Sequence, residues 1–293
     1  MLRDLNLALI GAGAMGEAIL AGLLDRQLLP PERILVTTPR PERREALAER
    51  YGVRAIGDNR EAISAAGASG VTLFAVKPQS LPQVLPALRG AIPAHGLVLT
   101  VLAGTPIATF RQGLGHEAIV RAIPNLPAQI GEGMTAWTAT AAVSEEQRSV
   151  AAALLGALGK ERYVEDESYV DMAAALSGVA PAFCFLLLEA LVDAGVHLGF
   201  KREVAQDLVL QGMHGSLLFA LQSDLHPAEL RGRVTSPGGV SADALYTLEK
   251  GGLRTLMADG VWAAYRRILE LGRGEAQNAP VSARLPNSPE GLR

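Results

Sequence analysis

The chain has 293 residues, of which 49% are hydrophobic and 19% are charged, with a formal net charge of −3. This composition excludes an intrinsically disordered chain, and the lack of a basic surplus argues against a nucleic-acid partner. The single cysteine, Cys184, excludes a disulfide framework and a cysteine-based zinc site. The length suits two domains, since one domain averages about 150 residues.

Short apolar runs alternate with helical patterns through the first half of the chain. The predicted strands are residues 5–10, 34–37, 71–76, 97–101 and 118–123. Two further strand-like runs, 134–138 and 162–164, flank a helix for which Ser144 is the predicted N-cap. The alternation predicts an α/β Rossmann-type domain with a mostly parallel sheet over residues 1–165.

The pattern changes after Glu165, because no strand is predicted between there and Leu271. The helical segments predict an all-α dimerisation and substrate domain over residues 166–271. The following residues, 272–293, are rich in Gly, Pro, Ser and Asn and are predicted to form a disordered tail.

The apolar run 172–188 is the one segment that resembles a membrane span. It is shorter than the roughly 20 residues that a span needs, and Ser177, Gly178 and Pro181 interrupt it. We therefore interpret it as a buried helix at a domain or subunit interface. With no targeting pattern at residues 1–4, the sequence predicts a cytoplasmic protein without a membrane partner.

A glycine motif, Gly11-Ala12-Gly13-Ala14-Met15-Gly16, follows the first predicted strand and opens the first helix. Gly11 permits a tight turn, Gly13 lets the backbone approach a pyrophosphate, and Gly16 allows close packing of helix and strand. The helix N-terminus then stabilises the anion. In this context the motif predicts a dinucleotide-binding site.

The end of the second predicted strand indicates which dinucleotide binds. An NAD site carries an acidic residue there, but this strand ends in Thr37 and Thr38, followed by Arg40. Hydroxyl and guanidinium groups donate hydrogen bonds to a 2′-phosphate, so NADP, and NADPH over NADH, is favoured. The alternative is that Arg40 is a solvated charge in a run with Arg43 and Arg44.

Other turns follow the predicted strands, and the carboxyl ends of such strands face the ligand. The turn 75–78 contains Val76, Lys77 and Pro78, and the turns 103–106 and 121–128 succeed the next two strands. Each is alternatively an ordinary loop exit. Later, residues 235–241 precede a predicted helix, where backbone amides would bind an anion and Ser241 would serve as helix cap or as ligand.

Several motifs in a fixed order span nearly the whole chain, up to about Leu271. They include GAGAMGEAI, AVKPQ, RAIPNLPA, LEALVDAGV, HPAELRGRVTSPGG and LEKGGLRTLMADGV. In this combination the chain resembles the Δ1-pyrroline-5-carboxylate reductase family. The resemblance implies a Rossmann domain and a helical domain that interlocks with a second subunit. It also implies reduction of a cyclic imine to L-proline, in a homodimer or a higher oligomer of dimers.

The resemblance also implies site residues. The expected cofactor contacts are Gly11 to Gly16, Thr37 or Thr38, Asn59, Val76, Lys77 and Ala103, with Asn125 at the nicotinamide edge. Ser236, Gly238, Gly239, Val240 and Ser241 form the expected substrate-carboxylate loop, with the amides of Gly239 and Val240 on the carboxylate. Ser241 keeps the hydroxyl that the family places near the ring nitrogen, and Glu167 matches an acidic position near the ring.

Three apolar residues, Val179, Phe183 and Val240, stand where the family carries hydroxyl groups. They leave two alternatives open: a reductase for a related cyclic imine or keto acid, and a non-catalytic NADP-binding regulatory protein. Reduction of a ketone requires a proton donor, and similar hydroxyacid dehydrogenases place a Lys on the interface helix. The predicted helix 180–198 has no Lys. An imine that arrives protonated needs no such donor, so imine reduction is favoured.

Overall fold

The computed structural model describes residue 2 and residues 4–273. Within this part, eight strands form one sheet: β1 (Leu7–Ile10), β2 (Ile34–Thr37), β3 (Arg54–Ile56), β4 (Val71–Phe74), β5 (Leu97–Thr100), β6 (Ile119–Ile123), β7 (Gly133–Ala139) and β8 (Gly159–Tyr163). The strand order is β3-β2-β1-β4-β5-β6-β7-β8, and only the β6–β7 pair is antiparallel. Up to β6 this is the order of doubly wound dinucleotide-binding sheets, which confirms the predicted fold class.

Helices connect the strands up to β8, and the elements that follow β8 in the described residues are all helices. They are α1 (Ala14–Asp25), α2 (Pro41–Tyr51), α3 (Asn59–Ala66), α4 (Leu81–Ala87), α5 (Ile107–Leu114), α6 (Glu145–Gly156), α7 (Glu167–Ala173), α8 (Ala180–His197), α9 (Arg202–Leu221), α10 (Pro227–Arg233), α11 (Val240–Lys250) and α12 (Leu253–Gly272). No strand follows Tyr163 in the described residues, as predicted. The Ser144 cap is also confirmed, since its side chain accepts from Gln147 N and forms a capping box.

The central strands are buried on both faces, which explains their continuous apolar sequences. Every residue of β1, β4 and β5 is buried, and helices cover both sides of the sheet. This core fixes the carboxyl ends of neighbouring strands at one edge, where β1 and β4 lie side by side. That pair marks the point at which the strand order reverses, and ligands of such sheets bind there.

By its internal contacts the chain divides into two compact units. Of the described residues, the first unit comprises those up to Gly178 and those from Ala264 to Arg273, and the second is Val179–Ala263. The sequence places its domain boundary at 165/166, before α7, whereas this division lies after a π-helical turn at Ala174–Gly178. Most of the predicted tail, residues 274–293, lies outside the described residues.

The helical unit exposes many large apolar side chains. On α8 and α9 they include Phe185, Leu186, Leu191, Leu208, Leu217 and Phe219. The two helices pack so closely that a Cβ on Gly195 would lie 2.9 Å from Ala205 Cβ, yet their outer faces stay uncovered. Among the described residues one helical stretch, Glu167–His197, is long and apolar enough to cross a membrane, and 17% of its most apolar window is buried.

Candidate active site

The glycine motif forms a tight turn between β1 and α1. Gly11 has φ +98°, and a Cβ there would lie 2.7 Å from Val76 Cγ1. A Cβ on Gly16 would lie 2.2 Å from the Gly11 carbonyl oxygen. Nothing lies within 4 Å of the position of a Cβ on Gly13. Two glycines are therefore required by the fold itself, while Gly13 leaves open space above the turn.

The N-terminus of α1 faces that turn without a side-chain cap. Gly13 is the N-cap, and the helix continues through Ala14 and Met15, while Ala12 is buried beneath the turn. The first amides of a helix have no intrahelical acceptor, and the helix dipole favours an anion beside them. The open Gly13 position and these amides fit a pyrophosphate.

The two threonines at the end of β2, Thr37 within the strand and Thr38 after it, are both buried, and Thr37 has 2% of its surface exposed. Thr37 Oγ1 accepts from Gly11 N at 3.3 Å and donates to the Leu9 carbonyl at 3.5 Å. Its hydroxyl thus joins the glycine turn and the end of β1 to the end of β2. Thr38 N donates to the Ile56 carbonyl (3.1 Å), which joins the ends of β2 and β3.

The three arginines near the start of α2 differ in their partners. Arg43 pairs with Glu17 of α1, and Arg44 Nη1 donates to the carbonyls of Thr38 (3.0 Å) and Pro39 (3.1 Å). Arg40, the N-cap residue of α2, is exposed and forms no ion pair with the described residues. Arg43 and Arg44 therefore shape the loop, and the Arg40 guanidinium remains available for an anionic ligand.

Glu17 lies in the first turn of α1 and receives three donors. Burial raises the pKa of its carboxyl, but hydrogen bonds from Arg43 and Tyr51, with the charge of Arg50, outweigh that effect and lower the pKa below its usual value. Glu17 thus fixes α2, and with it the Arg40 loop, against α1.

Other expected cofactor contacts also follow strand ends. Val76 and Lys77 are the second and third residues after β4, and Pro78 begins a 3₁₀ turn. Ala103 is exposed after β5, and Asn59 opens α3 two residues beyond the Gly57 that follows β3. Because these strands are parallel, their carboxyl ends lie along one edge of the sheet, the edge that carries the glycine turn.

Asn125 follows β6, and the protein itself uses both ends of its amide. Its Nδ2 donates to the Ser177 carbonyl at 3.1 Å, and its Oδ1 accepts from Met134 N at 2.9 Å. The side chain is buried. Asn125 therefore joins the end of β6 to β7 and to the π-helical turn.

Glu167, the expected acidic residue of the substrate site, contacts Arg121 of β6. Its Oε1 accepts from Arg121 Nη1 and from Ile107 N, each at 2.8 Å. Sequence reasoning did not assign a role to Arg121 or to Asp171, which also pairs with it. The signal was an arginine within an otherwise apolar strand, IVRAI.

The second glycine-rich loop opens α11 in the helical unit. Gly238 has φ +67°, and Gly239 N donates to the Ser236 carbonyl (3.0 Å), which closes a turn. Gly239 is the N-cap and α11 begins at Val240, so the alternative in which Ser241 serves as the helix cap is wrong. The Gly239 N–H is occupied by the turn, whereas Val240 and Ser241 hold the first two helical positions, whose amides lack intrahelical acceptors.

Val240 is 89% exposed, and Ser241 is exposed beside it. Phe183 and Val179 also stand where the family carries hydroxyl groups. Phe183 is half-buried, and its ring carbon Cζ would lie 3.4 Å from a Cβ on Gly260 of α12. Val179 is the N-cap of α8. Phe183 is thus accommodated by a glycine in the same unit.

Among the described residues, no three His, Cys, Asp or Glu side chains are grouped to hold a metal ion.

Two family models match the chain. One, described as pyrroline-5-carboxylate reductase dimerisation, covers residues 167–271, and the other, described as NADP oxidoreductase coenzyme F420-dependent, covers residues 6–104. The first unit is accordingly a nicotinamide-dinucleotide-binding unit, which agrees with its glycine turn.

Similar proteins extend over nearly the whole chain. A pyrroline-5-carboxylate reductase of Synechocystis is 41% identical over 270 residues, which are 92% of this chain and 99% of that protein. A solved structure of a pyrroline-5-carboxylate reductase from Coxiella burnetii is 33% identical with a TM-score of 0.84, and it covers 92% of this chain and 99% of that one. The Plasmodium falciparum pyrroline carboxylate reductase, solved with NADP bound, has a TM-score of 0.83 at 27% identity, over 93% of this chain and 100% of that one. The chain therefore belongs to the pyrroline-5-carboxylate reductase family.

Proposed function

We propose that this protein is a cytoplasmic, NADPH-dependent reductase that converts 1-pyrroline-5-carboxylate to L-proline, the last step of proline biosynthesis. When bound, NADPH supplies a hydride to the C=N bond. The observation that carries the proposal is the N-terminus of α11. Its N-cap, Gly239, has no side chain and Ser241 is exposed, so the first helical amides are accessible to a small carboxylate. Family membership supports the same reaction.

The first unit binds the cofactor in this proposal. The α1 N-terminus and the open Gly13 position receive the pyrophosphate. Arg40, with Thr38 beside it, holds the 2′-phosphate, because no carboxylate at the end of β2 repels it. Asn59, Val76 to Pro78 and Ala103 line the same edge. The preference for NADPH over NADH follows from Arg40.

The helical unit binds the substrate. The amides of Val240 and Ser241 hold the carboxylate. The Gly239 N–H is bonded to the Ser236 carbonyl within the turn, and the lack of a side chain on Gly239 leaves room for the ligand. The Ser241 hydroxyl accepts a hydrogen bond from the protonated ring nitrogen. Because the imine brings its own proton, the chain has to position the ring and need not supply an acid, which agrees with the lack of a Lys on α8.

The protein acts as a homodimer, and each active site takes residues 236–241 from the partner subunit. The exposed apolar side chains of α8 and α9 support this arrangement, since a monomer would leave that surface in water. The matched dimerisation model covers both helices. The same interface accounts for the apolar stretch Glu167–His197, which the proposal places between subunits.

Steady-state oxidation of NADPH tests the proposal. We expect turnover with 1-pyrroline-5-carboxylate and none with 2-keto acids. Faster turnover of a larger cyclic imine would transfer the assignment to a related substrate. Tight NADPH binding without turnover of any imine would leave the non-catalytic regulatory alternative.

A further inference from the structure

Arg121 is a buried cation that the proposed reaction does not use. Its side chain is 2% exposed within β6, whose five residues are all buried. An unpaired charge in such surroundings is strongly unfavourable, so its partners determine whether this part of the sheet is stable. Its Nε is buried and has no hydrogen-bond partner among the described residues.

The partners come from one face of α7. Glu167 and Asp171 are four residues apart, which places both carboxylates on the same side of the helix. Glu167 Oε1 lies 2.8 Å from Arg121 Nη1, and Asp171 Oδ1 lies 2.5 Å from Nη2. The guanidinium thus fixes the rotamer of both acids.

Glu167 has a second bond that Asp171 lacks. Its Oε1 also accepts the N–H of Ile107, the first residue of α5. The N-cap of α5 is Pro106, whose side chain cannot accept a hydrogen bond. Glu167 therefore supplies, from a distant part of the chain, both the missing acceptor and a negative charge at the positive end of the helix.

The turn held in this way is the one expected to contact the cofactor. Ala103 and Gly104 lie just before Pro106, so the Glu167 bond anchors their carboxyl-terminal side. The last turn of α12 covers the other side, since a Cβ on Gly104 would lie 2.8 Å from Leu271 Cβ. The turn is thus fixed between α7 and the end of α12.

We propose that Glu167 is a positioning residue: through Ile107 N–H it holds the Ala103–Gly104 turn in the form that binds NADPH, and it does not contact the imine. This rests on the proposed NADPH binding and replaces the substrate-site role that the family resemblance implies for Glu167. Asp171 pairs with Arg121 and has no hydrogen bond to α5 among the described residues, so in this proposal it stabilises the sheet and has no part in cofactor binding.

Two pairs of variants separate these roles, with the NADPH Kd measured calorimetrically on the full chain without imine. Glu167→Leu removes the acceptor, while Asp171→Asn removes the other acid and leaves Ile107 N–H bonded. Ile107→Pro deletes that single N–H at a position where proline fits a helix, after a residue with extended ψ of 153°. Ile107→Val, similar in size to proline, keeps the N–H.

We expect Glu167→Leu and Ile107→Pro to weaken NADPH binding about tenfold, as loss of a bond to a charged acceptor implies. Asp171→Asn and Ile107→Val should stay within about twofold of wild type, although Asp171→Asn should melt earlier. Glu167→Gln, which retains an acceptor, should recover most of the affinity. If Glu167→Leu does not fold, comparison of the NADPH Kd of Ile107→Pro with that of Ile107→Val still tests whether the Ile107 N–H bond supports cofactor binding.

A rise in the KM for the imine with an unchanged NADPH Kd in Glu167→Leu would overturn the proposal in favour of a substrate contact. Earlier melting with an unchanged Kd in every variant would reduce the network to a structural role. If wild type binds NADPH but does not reduce 1-pyrroline-5-carboxylate, the reaction assignment fails, and the four Kd values still test Glu167.

Discussion

Gly16 lies against Gly11 so closely that a Cβ on Gly16 would come within 2.2 Å of the Gly11 carbonyl oxygen. That contact lets α1 begin directly beside β1 and directs its first amides at the open space above Gly13. The fold and the cofactor site therefore depend on different glycines of one motif.

Substitution of Gly16 by alanine should lower stability, whereas substitution of Gly13 by alanine should weaken NADPH binding. Gly16→Ala has to displace the turn, and we expect it to lose about 1–3 kcal/mol of unfolding free energy. Gly13→Ala meets no protein atom, so the unfolding free energy should change by less than about 1 kcal/mol. Its methyl group would, however, occupy the place of the pyrophosphate and weaken NADPH binding. Urea unfolding and NADPH titration of both variants test this, and normal NADPH affinity in a stable Gly13→Ala protein would contradict it.

Arg40→Ala should raise the KM for NADPH about tenfold or more and leave that for NADH nearly unchanged, because only NADPH carries the 2′-phosphate that the guanidinium would bind. Arg50→Ala is the matched control, since it removes a positive charge from α2 where the partner is Glu17. An equal loss for both cofactors, or a native preference for NADH, would contradict the 2′-phosphate assignment.

Glu17 makes part of the stability dependent on pH. Its folded pKa lies below the usual value of 4.5, so its ion pairs stabilise the protein above about pH 4.5 and are lost as the pH falls through the folded pKa. We expect the Tm of wild type to fall more steeply than that of Glu17→Gln below pH 4.5. Parallel melting curves across that range would show that the pairs contribute nothing measurable.

The sequence could predict the glycine turn because backbone geometry dictates it. A positive φ at Gly11 and the contact at Gly16 admit no other residue, so the chemistry is visible in the residue types. The mostly parallel sheet followed from the alternation of strands and helices. In contrast, β3 has only three residues and begins with the exposed Arg54, so no apolar pattern indicates it.

Long-range polar contacts could not be predicted in the same way. Arg121 and Glu167 are 46 residues apart, and no periodicity links a buried cation to its acids. The Gly239 N–H was expected to bind the substrate, but it donates to the Ser236 carbonyl and closes a turn. This hydrogen bond depends on the backbone angles of the turn, which the sequence Ser-Pro-Gly-Gly does not determine. Such roles depend on tertiary geometry.

Assembly can be tested on the exposed face of α8. Leu186→Glu places a charge on a side chain that is exposed in the single chain and that the proposal buries between subunits. Light scattering should show a homodimer for wild type and a shift to monomer for this variant, with activity falling in proportion. Lys160→Glu, on β8 outside the helical unit, should stay dimeric. A fully active wild-type monomer at assay concentration would contradict the shared site.

Ser241 is the residue that the proposal places on the substrate nitrogen. It is at the second helical position and Gly239 is the N-cap, so its hydroxyl is not needed to begin α11. Ser241→Ala should therefore leave the Tm and the NADPH Kd nearly unchanged. Loss of a hydrogen bond to a charged substrate should lower kcat/KM for the imine by about 10- to 150-fold. Ser241→Thr keeps the hydroxyl and should retain most of the activity. A Ser241→Ala enzyme that turns over normally would show that the carboxylate-binding amides alone position the ring.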